Sequence, residues 1–231
     1  MNAKKYIFII VVALFAAAAI SAFGADENTP LTTGEVTTQI GNLNGGDMGG
    51  KLEAVRKLSK TRDQRAKSAL IRELRQQKNP FVRARIVEAF SNNMDTTTAK
   101  EALDRLKNDA DKDVRRSAAY SLGYTKDNSA VKTLIDTFLN EKEDLNVRCV
   151  AAGSLAHQPP TEEIFNCFSQ GLQNSNPIIR MQAMASLSIC FGTADRKRAV
   201  EAVTKMLKDD DPKVQDMAKQ RLNFLGVRAK K

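Results

Sequence analysis

The chain has 231 residues with 36 Lys or Arg, 27 Asp or Glu and a single His, a formal net charge of +9. One His and three unpaired Cys leave no histidine metal site and no zinc or redox motif. No Gly-rich phosphate loop and no Ser, His and Asp arrangement in a recognisable context is present either, so composition points away from nucleotide and acyl-transfer chemistry.

Residues 1–24 read as a signal peptide. Lys4 and Lys5 precede an unbroken apolar run from Tyr6 to Ile20, and Ala22 and Gly24 provide the small residues for cleavage before Ala25. The alternative is an uncleaved anchor in the inner membrane, since the run is only slightly short of a bilayer span. Cleavage predicts an exported, periplasmic or secreted protein. Residues 25–50 are rich in Thr, Asn and Gly and are expected to form a flexible linker.

From residue 51 onward the pattern is helical. Asp47, Gly50, Ala54 and Leu58 begin a spacing that recurs below, and residues 51–60 read as a degenerate half-repeat capping the N-terminus. On the next helix, Arg62 to Gln77, the residues Arg65, Arg72 and Arg75 project opposite Leu70, with Lys51, Arg56, Lys57 and Lys60 just before them. Residues 51–85 hold twelve Lys or Arg against three acids, whereas residues 86–231 hold 22 against 20. Such a cluster attracts anionic partners such as a phospholipid surface or an acidic protein, and equally fits a solvated helix face.

Five copies of one pattern follow. They read Asn79, Val82, Arg83, Ile86, Phe90; Asp111, Val114, Arg115, Ala118, Leu122; Asp144, Val147, Arg148, Ala151, Leu155; Asn176, Ile179, Arg180, Ala183, Leu187; and Asp211, Val214, Gln215, Ala218, Leu222. The anchors Val82, Val114, Val147, Ile179 and Val214 are 32, 33, 32 and 35 residues apart. Each copy is a helix start, with Asn or Asp at the cap, Pro80, Pro177 and Pro212 in the first turn, and the apolar positions on one face. A second apolar helix precedes each copy, marked by Leu70 with Leu74, Leu103 with Leu106, Leu134 with Phe138, Ile164 with Phe168, and Val200 with Val203 and Leu207. The short segments between them allow only antiparallel hairpins.

The position five beyond the anchor is Val87, Ala119, Ala152 and Met184, then Lys219. A residue that packs on a following repeat becomes charged where none follows, so the last hairpin reads as a C-terminal cap. Tyr120 and Tyr124 lie one turn apart, and His157 occupies in the next repeat the position of Tyr124. The three form a candidate aromatic and polar stripe, or simply pack between neighbours. Cys149, Cys167 and Cys190 fall at different heights of their helices and read as small buried hydrophobes.

The Asp-x-x-Val-Arg-x-x-Ala-x-x-x-Leu spacing resembles the HEAT-repeat family, in particular its short bacterial, phycobilisome-lyase-like members, over roughly residues 60–225. The repeats are shorter than is usual for that family, and a chain without Trp disfavours the tetratricopeptide alternative. The fold expected is all-α, a right-handed α-solenoid over residues 51–231 of about five hairpins with the N-terminal half-repeat cap. The resemblance further implies a structural ladder in which Arg83, Arg115, Arg148 and Arg180 pair with Asp111, Asp144, Asn176 and Asp211 of neighbouring turns. No catalytic residue, cofactor or metal carries over.

Function then reads as a non-catalytic scaffold or adaptor that binds a protein partner, with a basic end for an anionic surface. The alternatives are nucleic-acid binding, disfavoured by the near-neutral later repeats, and a lyase-like accessory subunit, which export contradicts because the lyases of this family handle bilins in the cytoplasm.

Overall fold

A computed structural model describes residues 31–125 and 127–227. The signal-peptide reading and residues 25–30 of the expected linker lie outside them. The described residues contain twelve α-helices and no strand. In chain order they form six hairpins: α1 (Thr33–Gly45) with α2 (Met48–Leu58), α3 (Gln64–Gln76) with α4 (Pro80–Ala89), and α5 (Thr96–Asn108) with α6 (Lys112–Leu122). The rest are α7 (Asn128–Leu139) with α8 (Leu145–Leu155), α9 (Glu162–Gly171) with α10 (Pro177–Phe191), and α11 (Arg196–Lys205) with α12 (Pro212–Phe224).

Every second helix from α4 onward begins as its sequence dictates. An Asn or Asp oxygen accepts from the first-turn N–H groups: Asn79 from Phe81, Asp111 from Asp113 and Val114, Asp144 from Asn146, Asn176 from Ile178, and Asp211 from Lys213. The face these caps launch is fully used. All five anchors, the apolar residues four beyond them and those eight beyond them are buried, each 2% exposed or less. Val87, Ala119, Ala152 and Met184 are also buried, while Lys219 is exposed and reaches Asp216 at 2.9 Å. In the last described hairpin the charge stands where the earlier ones carry a buried apolar side chain.

The first helices differ in detail from the expected pairs. Leu74, Leu134, Phe138, Ile164, Phe168 and Val203 are buried, but Leu103, Val200 and Leu207 are only partly so. On α5 the deepest positions are taken by Ala99 and Ala102, and on α11 by Ala199 together with Val203.

The expected flexible linker is corrected for residues 33–50, which are helical and packed. Thr32 and Glu35 form a reciprocal capping box, and Val36 and Leu43 are buried with Ile40 packed beside them. A composition rich in Thr, Asn and Gly obscured an apolar stripe at helical spacing that is too thin to fold alone and folds because α2 and α3 cover it. Residues 51–60 are therefore not a half-repeat. They end the second helix of a complete first hairpin, with Asp47 accepting from the Gly50 N–H at 2.7 Å and Ala54 and Leu58 buried.

Between hairpins, the second helices pack most closely on one another and the first helices are more widely splayed. Ser121, Ser154 and Ser186, seven residues beyond their anchors, are buried there, and the Ser121 hydroxyl donates to the Val87 carbonyl at 2.6 Å. Small residues shorten the inner spacing, so the second helices form the inner, concave wall. A close approach of another kind joins α7 and α9. A Cβ on Gly171 would lie 2.6 Å from the Phe138 ring, and Phe138 in turn meets Phe168 edge to face at 6.3 Å.

Candidate functional site: the inner face of the second helices

Charges at the turns are organised as rungs between hairpins. Arg83 forks onto both oxygens of Asp109 at 2.9 and 2.8 Å, Arg115 onto Glu143 at 2.9 and 2.8 Å, and Arg180 onto Asp209 at 2.8 and 2.7 Å. The same three arginines also donate to two carbonyls of their own turn, at 2.8 to 3.1 Å. In the first hairpin Lys51 has this role, donating to Glu73 at 2.8 Å and to the Leu43 carbonyl at 2.9 Å. Burial pushes the Asp109 and Asp209 carboxyls upward, and the arginine hydrogen bonds and the N–H groups of Asp111 and Asp211 outweigh it, leaving both below the usual aspartate range.

The ladder is real but its acidic members are not those expected. Asp111, Asp144 and Asp211 are occupied as helix caps, and Asp144 meets Lys112 at 3.4 Å instead of Arg115. The partners sit one or two residues earlier, in the hairpin turn, because a cap oxygen pointing back along its own helix cannot also face the previous hairpin. The signal was present as the position five before the anchor, Asp109, Asn174 and Asp209.

Arg148 is the exception. Its counterpart in the next hairpin is Asn174, a neutral residue, and Arg148 folds inward to give its Nε–H to the Phe138 carbonyl at 2.9 Å. Only 5% of it is exposed, and its Nη2 finds no hydrogen-bond acceptor among the described residues. Asn174 turns to Glu141 at 3.5 Å. One junction of the stack, between the fourth and fifth hairpins, thus lacks the ion pair that the other four carry.

The basic cluster is corrected in a similar way. Lys57 lies 3.4 Å from Glu53, Arg65 lies 2.6 Å from Asp63, and Arg75 pairs with Glu101 of the next hairpin. Arg72 reaches Asn44 Oδ1 at 3.5 Å, and Lys60 is exposed. Lys67, Arg75 and Arg83 draw Asp95, Glu101 and Asp109 from downstream, so part of the charge in the basic window is met by acids outside that window.

On the inner wall, the Tyr120 and Tyr124 hydroxyls are 2.8 Å apart and their rings meet edge to face at 5.4 Å. Burial, then the bond to Tyr124, pushes the Tyr120 hydroxyl above its ordinary range. His157 is tied to its own helix, with Nδ1 2.9 Å from the Gly153 carbonyl. The three are therefore not one hydrogen-bonded constellation. They belong to a longer row that the sequence reading missed. Ten residues beyond successive anchors stand Tyr124, His157, Ile189 and Phe224. Tyr124 is 54% exposed, Ile189 44% and Phe224 63%, three of the most exposed large hydrophobic side chains described.

Two shallow depressions accompany the stack, about 380 Å³ beside Arg62, Lys67 and Asp95 and about 240 Å³ between Phe81, Arg85, Asp113 and Arg116. Among the described residues no cluster of His, Cys, Asp and Glu could hold a metal ion, and no helix is long and apolar enough to cross a membrane. Cys149, Cys167 and Cys190 are free thiols pushed by burial up to about 11, 12 and 11, which leaves them protonated and unreactive at neutral pH.

Comparison with known proteins agrees with this architecture. The family model for HEAT repeats matches residues 43–123, 99–188 and 131–223. No curated protein matches the chain. Among solved structures it is similar to the complex of CpcE and CpcF of phycocyanin lyase from a Nostoc species, with 19% identity, a TM-score of 0.55, and 89% of this chain and 81% of that one covered. It is also similar to a designed armadillo repeat protein in complex with the peptide (KR)4, with 15% identity, a TM-score of 0.52, and 83% and 99% covered. These likenesses concern the fold, and the repeated cap, anchor and rung positions from residue 43 to residue 223 place the chain in the family of HEAT repeats.

Proposed function

We propose that this chain is a non-catalytic, exported docking module that holds a protein partner on the inner wall of its solenoid. The observation that carries the proposal is the row Tyr124, His157, Ile189 and Phe224, exposed large side chains at one repeated position, at or just past the C-terminal ends of the second helices. Isolated surface hydrophobes are ordinary, whereas a row in register across four hairpins is a contact surface. The carboxylates Asp109 and Asp209, in the turns that precede the second helices, are engaged in rungs, which leaves them no part in acid and base chemistry. Export is supported by Lys4, Lys5 and the run from Tyr6 to Ile20. The basic end carries no part of the proposal, since Lys51, Arg65, Lys67, Arg75 and Arg83 meet acids within the stack.

The test is site-specific photo-crosslinking in cells, with the reactive group at Tyr124 or, on the outer wall, at exposed Ser68. Adducts from position 124 and none from 68 support the reading; equal yields from both, or none from 124, overturn it. N-terminal sequencing of the same recovered protein reads export directly, a mature chain beginning at Ala25 being the expected result.

A further inference from the structure

The inner wall changes character along the stack. On α4 and α6 it is charged, with Arg85 facing Glu88 at 2.8 Å and Arg116 facing Asp113 at 3.4 Å. Next along the stack, α8 and α10 contain one charged residue each. Arg148 is folded inward and Arg180 is locked to Asp209, so neither reaches the wall. Accessible on these two helices are, among others, Asn146, Val150, Gly153, Ile178, Gln182 and Ile189. Gly153 leaves its backbone bare, since a Cβ there would find only the Gln182 amide, at 3.9 Å.

Resting on the docking role proposed above, we infer that α8 and α10 form a saddle for an extended, uncharged segment of the partner protein, its apolar side chains set against Tyr124, Val150 and Ile189. The absence of charge selects the occupant. A Lys or Glu buried here would lose its hydration with no counter-ion turned toward it, since Arg148 and Arg180 are engaged elsewhere, whereas aliphatic and aromatic side chains gain from the same burial. The bare surface at Gly153 admits a peptide backbone, and the Asn146 and Gln182 amides can satisfy its polar groups. Four row positions at a helix spacing of about 10 Å span about 30 Å, the length of roughly nine extended residues.

A phage-displayed library of random nonapeptides selected against residues 25–231 reads the preference directly, and the best binder is then titrated against Ile189→Glu and Gly153→Gln. Ile189 and Gly153 are at least partly solvent-facing, and circular dichroism confirms that both variants fold. Expected are binders free of Lys, Arg, Asp and Glu at their central positions, and at least a tenfold weaker Kd in both variants. Enrichment of basic or acidic peptides that bind both variants unchanged and are lost on Arg116→Ala overturns the saddle while leaving the inner wall as the docking face. Peptides insensitive to every inner-wall substitution overturn both readings. Self-association in sedimentation velocity that Ile189→Glu abolishes assigns the saddle to a second copy and overturns this one.

Discussion

Arg180 holds both oxygens of Asp209 across a hairpin boundary at 2.8 and 2.7 Å, with the guanidinium 14% and the carboxylate 7% exposed. The fork is the same one that joins Arg83 to Asp109 and Arg115 to Glu143. A planar guanidinium suits this position because it serves a carboxylate with one edge and two turn carbonyls with the other, satisfying three turn groups at once.

Removing the acid leaves a mostly buried guanidinium without its counter-charge, which costs more than the pair contributes. Asp109→Asn and Asp209→Asn are each expected to lose about 2 kcal/mol, lowering Tm by about 4 to 8 °C. Asp111→Ala and Asp211→Ala, which remove a cap alone, are expected to lose about 1 kcal/mol. Calorimetry on the four variants checks the order, and a larger loss at Asp111 than at Asp109 contradicts the assignment of rungs.

The empty rung gives a prediction of opposite sign. Asn174→Asp places a carboxylate where Asp109 and Asp209 stand in their own hairpins, and Arg148 can unfold from the Phe138 carbonyl to meet it. A gain of about 1 kcal/mol and a Tm rise of about 2 to 4 °C are expected. Asn174→Ala is the control, and a rise in both variants, or in neither, refutes the account.

Acid should weaken the stack through these same carboxylates. Asp109 and Asp209 lie below the ordinary aspartate value of 3.8 in the folded chain. Their stabilisation is therefore complete above that value and is lost as pH falls through the lower folded one. Tm is expected to be flat from about pH 7 to 5 and to drop below about pH 4, less steeply in Asp109→Asn, which lacks one of the groups. Thermal melts across that range decide it.

Gly171→Ala tests the close contact of α7 and α9. The added methyl would sit 2.6 Å from the Phe138 ring and 2.9 Å from the Ala183 Cβ, and neither neighbour can withdraw from a packed core. A loss of about 1 to 3 kcal/mol is expected, whereas Gly153→Ala, with open space around it, should be near neutral. Chemical denaturation of both variants measures the difference.

Removal of α1 follows from the corrected N-terminus. A chain beginning at residue 51 uncovers the faces that Val36 and Leu43 bury and is expected to melt several degrees below one beginning at residue 31. Identical melting of the two chains would restore the reading of that segment as a passive tether.

What the amino-acid order determined by itself is the unit and its repetition. Caps, first-turn prolines and the anchor face are local features, decided by which atoms a helix start can satisfy within one turn, so Val82 and its four counterparts could be read as a list of helix starts and cores. The change of character at the last described hairpin was legible too, since Lys219 stands exposed where Met184 is buried. Tertiary structure decided the rest. Whether Val36, Ile40 and Leu43 fold depends on α2 and α3 being there to cover them. Which acid meets Arg115 depends on how far the next hairpin's turn projects, and the charge of residues 51–85 depends on Asp95, Glu101 and Asp109 arriving from outside that stretch. The row from Tyr124 to Phe224 becomes a surface only when the second helices stack in register, since residues more than thirty apart in the chain share a face solely through that packing.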